Sequence, residues 1–201
     1  METRKLKLGL PFSGFLFSLF YFLVASPLAA AQFARPSADV SAGLYTTTPL
    51  WEKLDDVTAD DDTTEILSAN NPVESDGTGF EVRLSALSDP QTSSGHTLRF
   101  RAQKQTGGRT LDVSCRLYQG TTAISPVRTL TNLGTTYTTH TYTLAAGEAD
   151  AISDYSDLRM RCWSSVSGGG SATSAAFTWI ELETPDAPPS QSKPFLLVVS
   201  E

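Results

Sequence analysis

The chain has 201 residues, of which 40% are hydrophobic, and its 15 Lys and Arg against 22 Asp and Glu give a formal net charge of −7. This acidic balance argues against nucleic acid as a partner, because neutralising phosphates requires a basic surface. The length is sufficient for one domain with a full hydrophobic core.

The first 31 residues have the features of a secretory signal peptide. Three basic residues among the first seven precede an apolar run over 10–28, and alanines at 29–31 favour cleavage before Gln32. The alternative is a retained transmembrane anchor, since the run nearly has the length to span. After cleavage, 12 Lys and Arg remain against 21 Asp and Glu, a net charge of −9. We therefore predict a secreted, extracellular or cell-surface protein with no stable membrane span after signal cleavage.

An acidic stretch comes next, with five aspartates within 55–62. Asp60 and Asp62, together with backbone carbonyls, are candidate ligands for a weak calcium site. The spacing differs from that of an EF-hand loop, because the sixth position counted from Asp60 is Glu65 instead of glycine. We favour a solvated connecting loop and predict no other cofactor. The flanking apolar residues expected to dock into the domain are Leu54, Val57, Ile66 and Leu67.

The rest of the chain predicts strands, because short β-branched and aromatic stretches alternate with Gly, Pro, Ser, Asn and Asp. The predicted strands cover 43–47, 65–69, 79–87, 97–105, 110–119, 122–131, 136–144, 157–165 and 174–183. Short helical turns are predicted at 51–54 and around 147–152. This pattern is typical of an all-β sandwich of eight or nine strands.

The stretch HTLRFRAQKQTGGRTLDVSCRLY predicts a hairpin with a turn at Gly107-Gly108. With Thr106 opposite Arg109, every inward pair is apolar, for example Phe100 with Cys115. On the outer face, this register places Arg99 opposite Arg116.

A second hairpin is predicted for 157–183, with a register centred on Gly170. Met160 then pairs with Ile180 on the inner face, while the opposite choice would bury two glutamates on the return strand. On the outer face, the register places Arg161 opposite Trp179 and Trp163 opposite Phe177.

The two cysteines, Cys115 and Cys162, predict one disulfide, because a secreted chain folds in an oxidising compartment. Both fall on inward faces of their strands. Neither belongs to a CxxC or a His/Cys cluster, so metal binding is the weaker interpretation.

The two hairpins together predict one outward face with three large aromatic side chains beside arginines, here called the aromatic face. Its predicted ligand-binding residues are Trp163, Phe177, Trp179, Arg99, Arg116 and Arg161. Aromatic rings stack on sugars, and arginine forks hold hydroxyls or carboxylates. The alternative is that these residues are structural, or covered by other segments, and form cation–π and ion pairs.

The stretches SGHTLRFRAQK, GGRTLDVSCRLYQGTTAI, TTHTYTLAAGEADAISDYSDLRMRCWSS and FTWIELETP resemble jelly-roll β-sandwich modules over about 35–185. Such modules occur in secreted bacterial proteins and in phage tail or fibre proteins, and carbohydrate-binding modules share their architecture. The resemblance implies an antiparallel jelly-roll sandwich that serves as a non-enzymatic binding or structural domain. It implies no particular ligand residue.

The last segment, 186–201, reads as a Pro/Ser linker followed by an apolar strand. This predicted assembly strand consists of Phe195, Leu196, Leu197, Val198 and Val199. It either completes the chain's own sheet or adds to a neighbouring copy.

The sequence therefore predicts a signal peptide at 1–31, a jelly-roll domain at 32–185 and a C-terminal segment at 186–201. The predicted function is non-catalytic binding or adhesion to an extracellular glycan through the aromatic face. The alternative is a structural subunit of a cell-surface filament or phage-like assembly that contacts copies of itself through the assembly strand. A glycan-active hydrolase or lyase ranks third. Its paired carboxylates would come together only in space, so the sequence does not exclude it. The candidate acids Glu81, Glu181 and Glu183 fall on an outward face rich in arginine, which favours ion pairing instead.

Overall fold

The computed structural model describes residues 30–61 and 63–188. In these residues the strands are β1 (Ala31–Ala34), β2 (Pro36–Ser41), β3 (Ile66–Leu67), β4 (Phe80–Leu84), β5 (Thr97–Lys104), β6 (Thr110–Gln119), β7 (Thr122–Ala123), β8 (Arg128–Leu130), β9 (Thr138–Thr143), β10 (Leu158–Ser167) and β11 (Ala175–Pro185). A short 3-10 helix at Trp51–Lys53 and helix α1 at Ala146–Ala149 confirm the two predicted helical turns.

The strands form two antiparallel sheets that face each other. The five-stranded sheet has the order β1-β11-β5-β9, with β3 also paired to β11. The six-stranded sheet has the order β2-β4-β10-β6-β7, with β8 also paired to β6. Along the chain, strands alternate between the sheets from β1 to β6 and again from β9 to β11. This winding is that of a jelly roll, so the predicted fold class is confirmed.

The core lies between the sheets and follows from the two-residue period of each strand. Leu98, Phe100 and Ala102 on β5 are fully buried, as are Leu158 and Met160 on β10. Their outward neighbours are polar or charged. The predicted inward sides of both strands are therefore confirmed.

The predicted disulfide joins Cys115 on β6 to Cys162 on β10. The two residues are direct cross-strand partners within the six-stranded sheet, and both are fully buried. The bridge thus fastens the two central strands of this sheet on their core side.

Both predicted hairpins are wrong. β5 pairs with β9 and β11, whereas β6 pairs with β10, so the first pair of strands lies in opposite sheets. β10 and β11 are separated in the same way. Both turns cross between the sheets, and they pack on each other. The backbone of Gly107 is so close to the other turn that an added Cβ would lie 2.4 Å from the carbonyl oxygen of Ala172. Inward alternation is the same whether two strands are neighbours or face each other across a core, so the pattern did not distinguish the two cases.

The sequence did not predict β1 and β2. Pro36 opens β2 at an edge of the six-stranded sheet, where a missing N–H costs little, and a proline there weakens the strand signal. β1 pairs with the end of β11, with Ala31 opposite Pro185, so its first residue lies at the predicted cleavage site.

The remaining terminal predictions concern residues outside the described part of the chain. They are the signal peptide up to residue 29 and the segment from residue 189, including the assembly strand Phe195–Val199. Within residues 30–61 and 63–188, no helix has the length and apolarity needed to cross a membrane.

Candidate functional site

The structure does not bring the six residues of the predicted aromatic face together. Arg99 and Trp179 lie on the outer side of the five-stranded sheet. Arg116, Arg161 and Trp163 lie on the outer side of the six-stranded sheet. Phe177 is in the core between them.

The prediction that Phe177 points outward is wrong because β11 contains a β-bulge. Phe177 pairs with Ala102 and Trp179 pairs with Arg101, so Thr178 is an extra residue in the strand. A bulge shifts the alternation by one position. Phe177 is therefore fully buried, and its ring lies edge-on to that of Phe80 with centroids 5.2 Å apart. Trp179 keeps its predicted outward direction.

The outer side of the five-stranded sheet carries a groove of about 410 Å³. Its floor crosses β11, β5 and β9, a width of about 10 Å at the usual strand spacing. The lining residues are Val57, Thr58, Ala59, Arg99, Arg101, Thr139, Thr141 and Trp179. An indole, two arginines and two threonine hydroxyls are thus brought to one open surface.

The register of the sheet positions each group on the groove floor. Trp179 is opposite Arg101, which is in turn opposite Thr139 on β9. Arg99 is opposite Thr141 in the next outward row. The indole Nε1 of Trp179 donates a hydrogen bond of 2.8 Å to the carbonyl oxygen of Asp56, which holds the ring in place.

The acidic stretch forms one wall of this groove, a role that the sequence analysis did not predict. The carboxylate of Asp61 accepts hydrogen bonds from both Nε and Nη2 of Arg101. Thr64 Oγ1 lies 2.6 Å from a carboxylate oxygen of Asp56 and of Asp60. Val57 is 77% exposed at the rim, so its predicted docking into the domain is wrong. Leu54 and Ile66 are buried as predicted.

The two residues predicted as calcium ligands are Asp60 and Asp62. Asp60 also accepts a hydrogen bond from the backbone N–H of Thr64, while Asp62 lies outside the described residues. Among the residues that the structure describes, no group of three or more His, Cys, Asp or Glu side chains is arranged to hold a metal ion.

Arginine forks at the groove are already occupied by protein carboxylates. Arg99 donates to Glu181 and to Glu183. Besides its two bonds to Asp61, Arg101 donates from Nη1 to the hydroxyl of Thr139. The hydrogen bond from Arg101 holds the pKa of Asp61 below its ordinary value, and the same bond raises the pKa of Arg101.

The outer side of the six-stranded sheet is an ion-pair network. Arg116 and Arg161 are cross-strand neighbours, and both reach the carboxylate of Asp76. The guanidinium of Arg161 lies 4.2 Å from the ring centroid of Tyr118. Arg161 also binds Glu81, which is 4% exposed. These contacts favour the structural interpretation for Arg116 and Arg161.

Comparison with solved structures finds three matching chains, including two carbohydrate-binding modules. One is a carbohydrate-binding module described as CBM4, with 18% identity, a TM-score of 0.38, and coverage of 64% of this chain and 77% of that chain. The other is TmCBM61 in complex with beta-1,4-galactotriose, with 10% identity, a TM-score of 0.30, and coverage of 61% and 70%. Both are carbohydrate-binding modules. The β-sandwich fold of this chain is established by its own two antiparallel sheets. No protein-family model matches the chain, and no curated protein matches it.

Two signals in the sequence were sufficient to find part of the groove. Arg101 follows Arg99 by two residues on β5, so strand alternation alone places both on one face. Thr139 and Thr141 alternate in the same way on β9. Nothing in the sequence indicated that residues 57–59 fold over the same face.

A second cavity, of about 490 Å³, lies at the 89–93 loop and the segment after α1, with Asp89, Asp150 and Tyr155 among its lining residues. The hydroxyl of Tyr155 is 2.7 Å from Nε2 of the fully buried His96. Burial lowers the pKa of His96 and raises the pKa of Tyr155 to about 12. Both groups are therefore neutral at neutral pH, which suits a structural contact.

Stability is expected to decrease as the pH falls below about 6.5, the ordinary pKa of histidine. Because burial lowers the folded-state pKa of His96, the unfolded chain binds the proton more readily. The stabilisation is complete above the unfolded pKa and is lost as the pH falls through the folded one. Urea unfolding from pH 8 to pH 5 should show this slope, with a weaker slope for His96→Gln. An unchanged slope in that variant would assign the effect elsewhere, for example to His140, whose pKa is also lowered by burial.

Proposed function

We propose that this chain is a secreted, non-catalytic domain that binds an extracellular glycan in the groove over Trp179. The observation that carries the proposal is a fixed, partly exposed indole on the floor of an open groove. Ligand sites combine an apolar surface with a few polar groups that set orientation. The groove has both, because Trp179 and Val57 are apolar while Thr139 and Thr141 supply hydroxyls.

The chemistry of the groove suits sugars in particular. A pyranose ring has an apolar C–H face that packs on a flat aromatic ring, and hydroxyls around its edge. The side of the groove formed by β9 offers threonine hydroxyls to that edge. The bond from Trp179 to the Asp56 carbonyl orders the ring before binding, which reduces the entropy lost on association.

The acids beside the groove support a non-catalytic role. Glycoside hydrolysis uses a carboxylic acid with a raised pKa and a second, free carboxylate. Asp61 has a lowered pKa because of Arg101, and Glu181 is held between Arg35 and Arg99. These carboxylates act as anchors for arginines.

Secretion is supported by two independent features. The first 31 residues carry the composition of a signal peptide. The Cys115–Cys162 disulfide is typical of proteins that fold in an oxidising compartment.

Replacing Trp179 with alanine should reduce glycan affinity at least about tenfold, as expected for a central aromatic contact. Trp163→Ala is the matched control, because it removes the same side chain from the outer side of the opposite sheet. The measurement is a polysaccharide pull-down followed by calorimetry on any polymer that binds. Equal binding by the two variants, or no binding by the wild type, would contradict the proposal. Thermal unfolding of each variant checks that the sandwich is intact.

A further inference from the structure

We infer that the groove selects uncharged glycans and rejects chains that carry carboxylates, such as polyuronates. This inference rests on the proposed function and adds the class of glycan. It comes from the charges around Trp179, which are balanced within the protein.

The balance is one carboxylate for each arginine. In the described part of the chain, the groove and its ion pairs contain three arginines, Arg35, Arg99 and Arg101, and three acids. The acids are Glu181, Glu183 and Asp61. The formal charge of this cluster is therefore zero.

The donors that would hold a ligand carboxylate are already engaged. Arg101 uses Nε and Nη2 for Asp61 and Nη1 for Thr139. Arg99 uses one terminal nitrogen for Glu181 and the other for Glu183. A ligand carboxylate would have to displace a charge-assisted bond formed within the protein, which is ordered beforehand and so has the entropic advantage. Glu181 is 4% exposed, which leaves it little room to turn away.

The wall of the groove adds negative charge. Asp56 and Asp60 on the acidic loop share Thr64 as their hydrogen-bond partner, and that partner is uncharged. The whole chain also has a net charge of −7. Both features oppose the approach of a polyanion at moderate ionic strength. A neutral polysaccharide meets no such barrier and still finds the indole and the threonine hydroxyls.

The decisive variant is Glu183→Gln, which removes one acid without touching the loop. Arg99 then keeps Glu181, which also binds Arg35, and loses its second carboxylate partner. The formal charge of the cluster rises from zero to +1. Asp157→Asn is the matched control, because it removes a similarly exposed acid (32% against 28% for the side chain of Glu183) from an arginine cluster on the six-stranded sheet. Asp61→Asn is a second variant, which removes the carboxylate that binds the guanidinium of Arg101.

The experiment measures retention of purified protein by neutral polysaccharides (β-1,4-glucan, β-1,4-galactan and xylan) and by polygalacturonate and alginate. We expect the wild type to bind at least one neutral polymer about tenfold more strongly than either polyuronate. Glu183→Gln or Asp61→Asn should strengthen polyuronate binding about tenfold, in a manner that salt reverses, while Asp157→Asn should not.

The outcomes separate this inference from the proposed function. If the wild type binds polyuronates as well as neutral polymers, and Trp179→Ala abolishes both, the groove binds glycans but the inference is overturned. If neither acid-removing variant gains polyuronate binding, the inference is also overturned, while neutral binding by the wild type preserves the proposed function. If wild type and variants bind no polymer at all, both are overturned.

Discussion

Replacing Cys115 and Cys162 together with alanine is expected to lower the free energy of unfolding by about 4 kcal/mol. The two cysteines are 47 residues apart, and a cross-link over such a loop removes much of the freedom of the unfolded chain. Both sulfurs are buried on the core side of the two central strands of the six-stranded sheet. A loss of this size is a large fraction of the total stability of a typical domain.

Chemical unfolding of the variant and of the wild type, each with and without reductant, measures this effect. The wild type in reductant is the matched control, because it loses the covalent bond while keeping both side chains. We expect its unfolding midpoint to fall towards that of the variant, whereas reductant should leave the variant unchanged. A wild-type midpoint that is insensitive to reductant, together with accessible thiols in the native protein, would show that the bridge does not form.

The features that the sequence predicted well are local ones. Alternation in LRFRA and LRMRC identifies which side of β5 and of β10 is buried, because successive side chains of a strand point to opposite faces whatever the partner strand is. The cysteines follow the same rule, which is why their inward direction was predictable before the pairing of their strands was known.

The partner of each strand was not predictable in the same way. Gly107-Gly108 and Gly170 suit tight hairpin turns, yet the chain crosses between sheets at both places. Hairpin and crossover bury the same residues, so the alternation does not select one of them. Long-range contacts do, and they include contacts between the two turns. One of these is the hydrogen bond from the backbone N–H of Gly108 to the hydroxyl of Ser171, over a distance of 2.8 Å.

The observed candidate site differs from the predicted aromatic face for a related reason. Assigning Arg99 and Arg116 to one face required them to be on neighbouring strands, and the two sheets separate them. The acidic loop was predicted to be a solvated connection, but it forms a wall of the groove. The reason is that Asp61 binds Arg101, which lies 40 residues further along the chain. Ion pairs between distant residues leave no periodic signal in a sequence.

Replacing Phe177 with alanine is expected to lower the free energy of unfolding by about 3–5 kcal/mol, the usual range for a large aromatic side chain in a core. The ring is fully buried and contacts the rings of Tyr45, Phe80 and Phe100 at centroid distances of 5.9, 5.2 and 6.1 Å. These partners come from both sheets and from the segment between β2 and β3, so the resulting cavity would lie at the centre of the sandwich.

Trp179→Ala is the matched comparison, two positions further along β11 and on the other side of the bulge. Trp179 is partly exposed, so its loss should reduce stability less than that of Phe177, because truncating a partly exposed side chain leaves no enclosed cavity in the core. Urea unfolding of the two variants should therefore show the larger loss for Phe177→Ala, while glycan binding should show the larger loss for Trp179→Ala. If Phe177→Ala lost binding while keeping its stability, the ring would face the ligand, as strict alternation without the bulge requires. The bulge at Thr178 thus determines which of the two aromatic side chains stabilises the core and which one is available to a ligand.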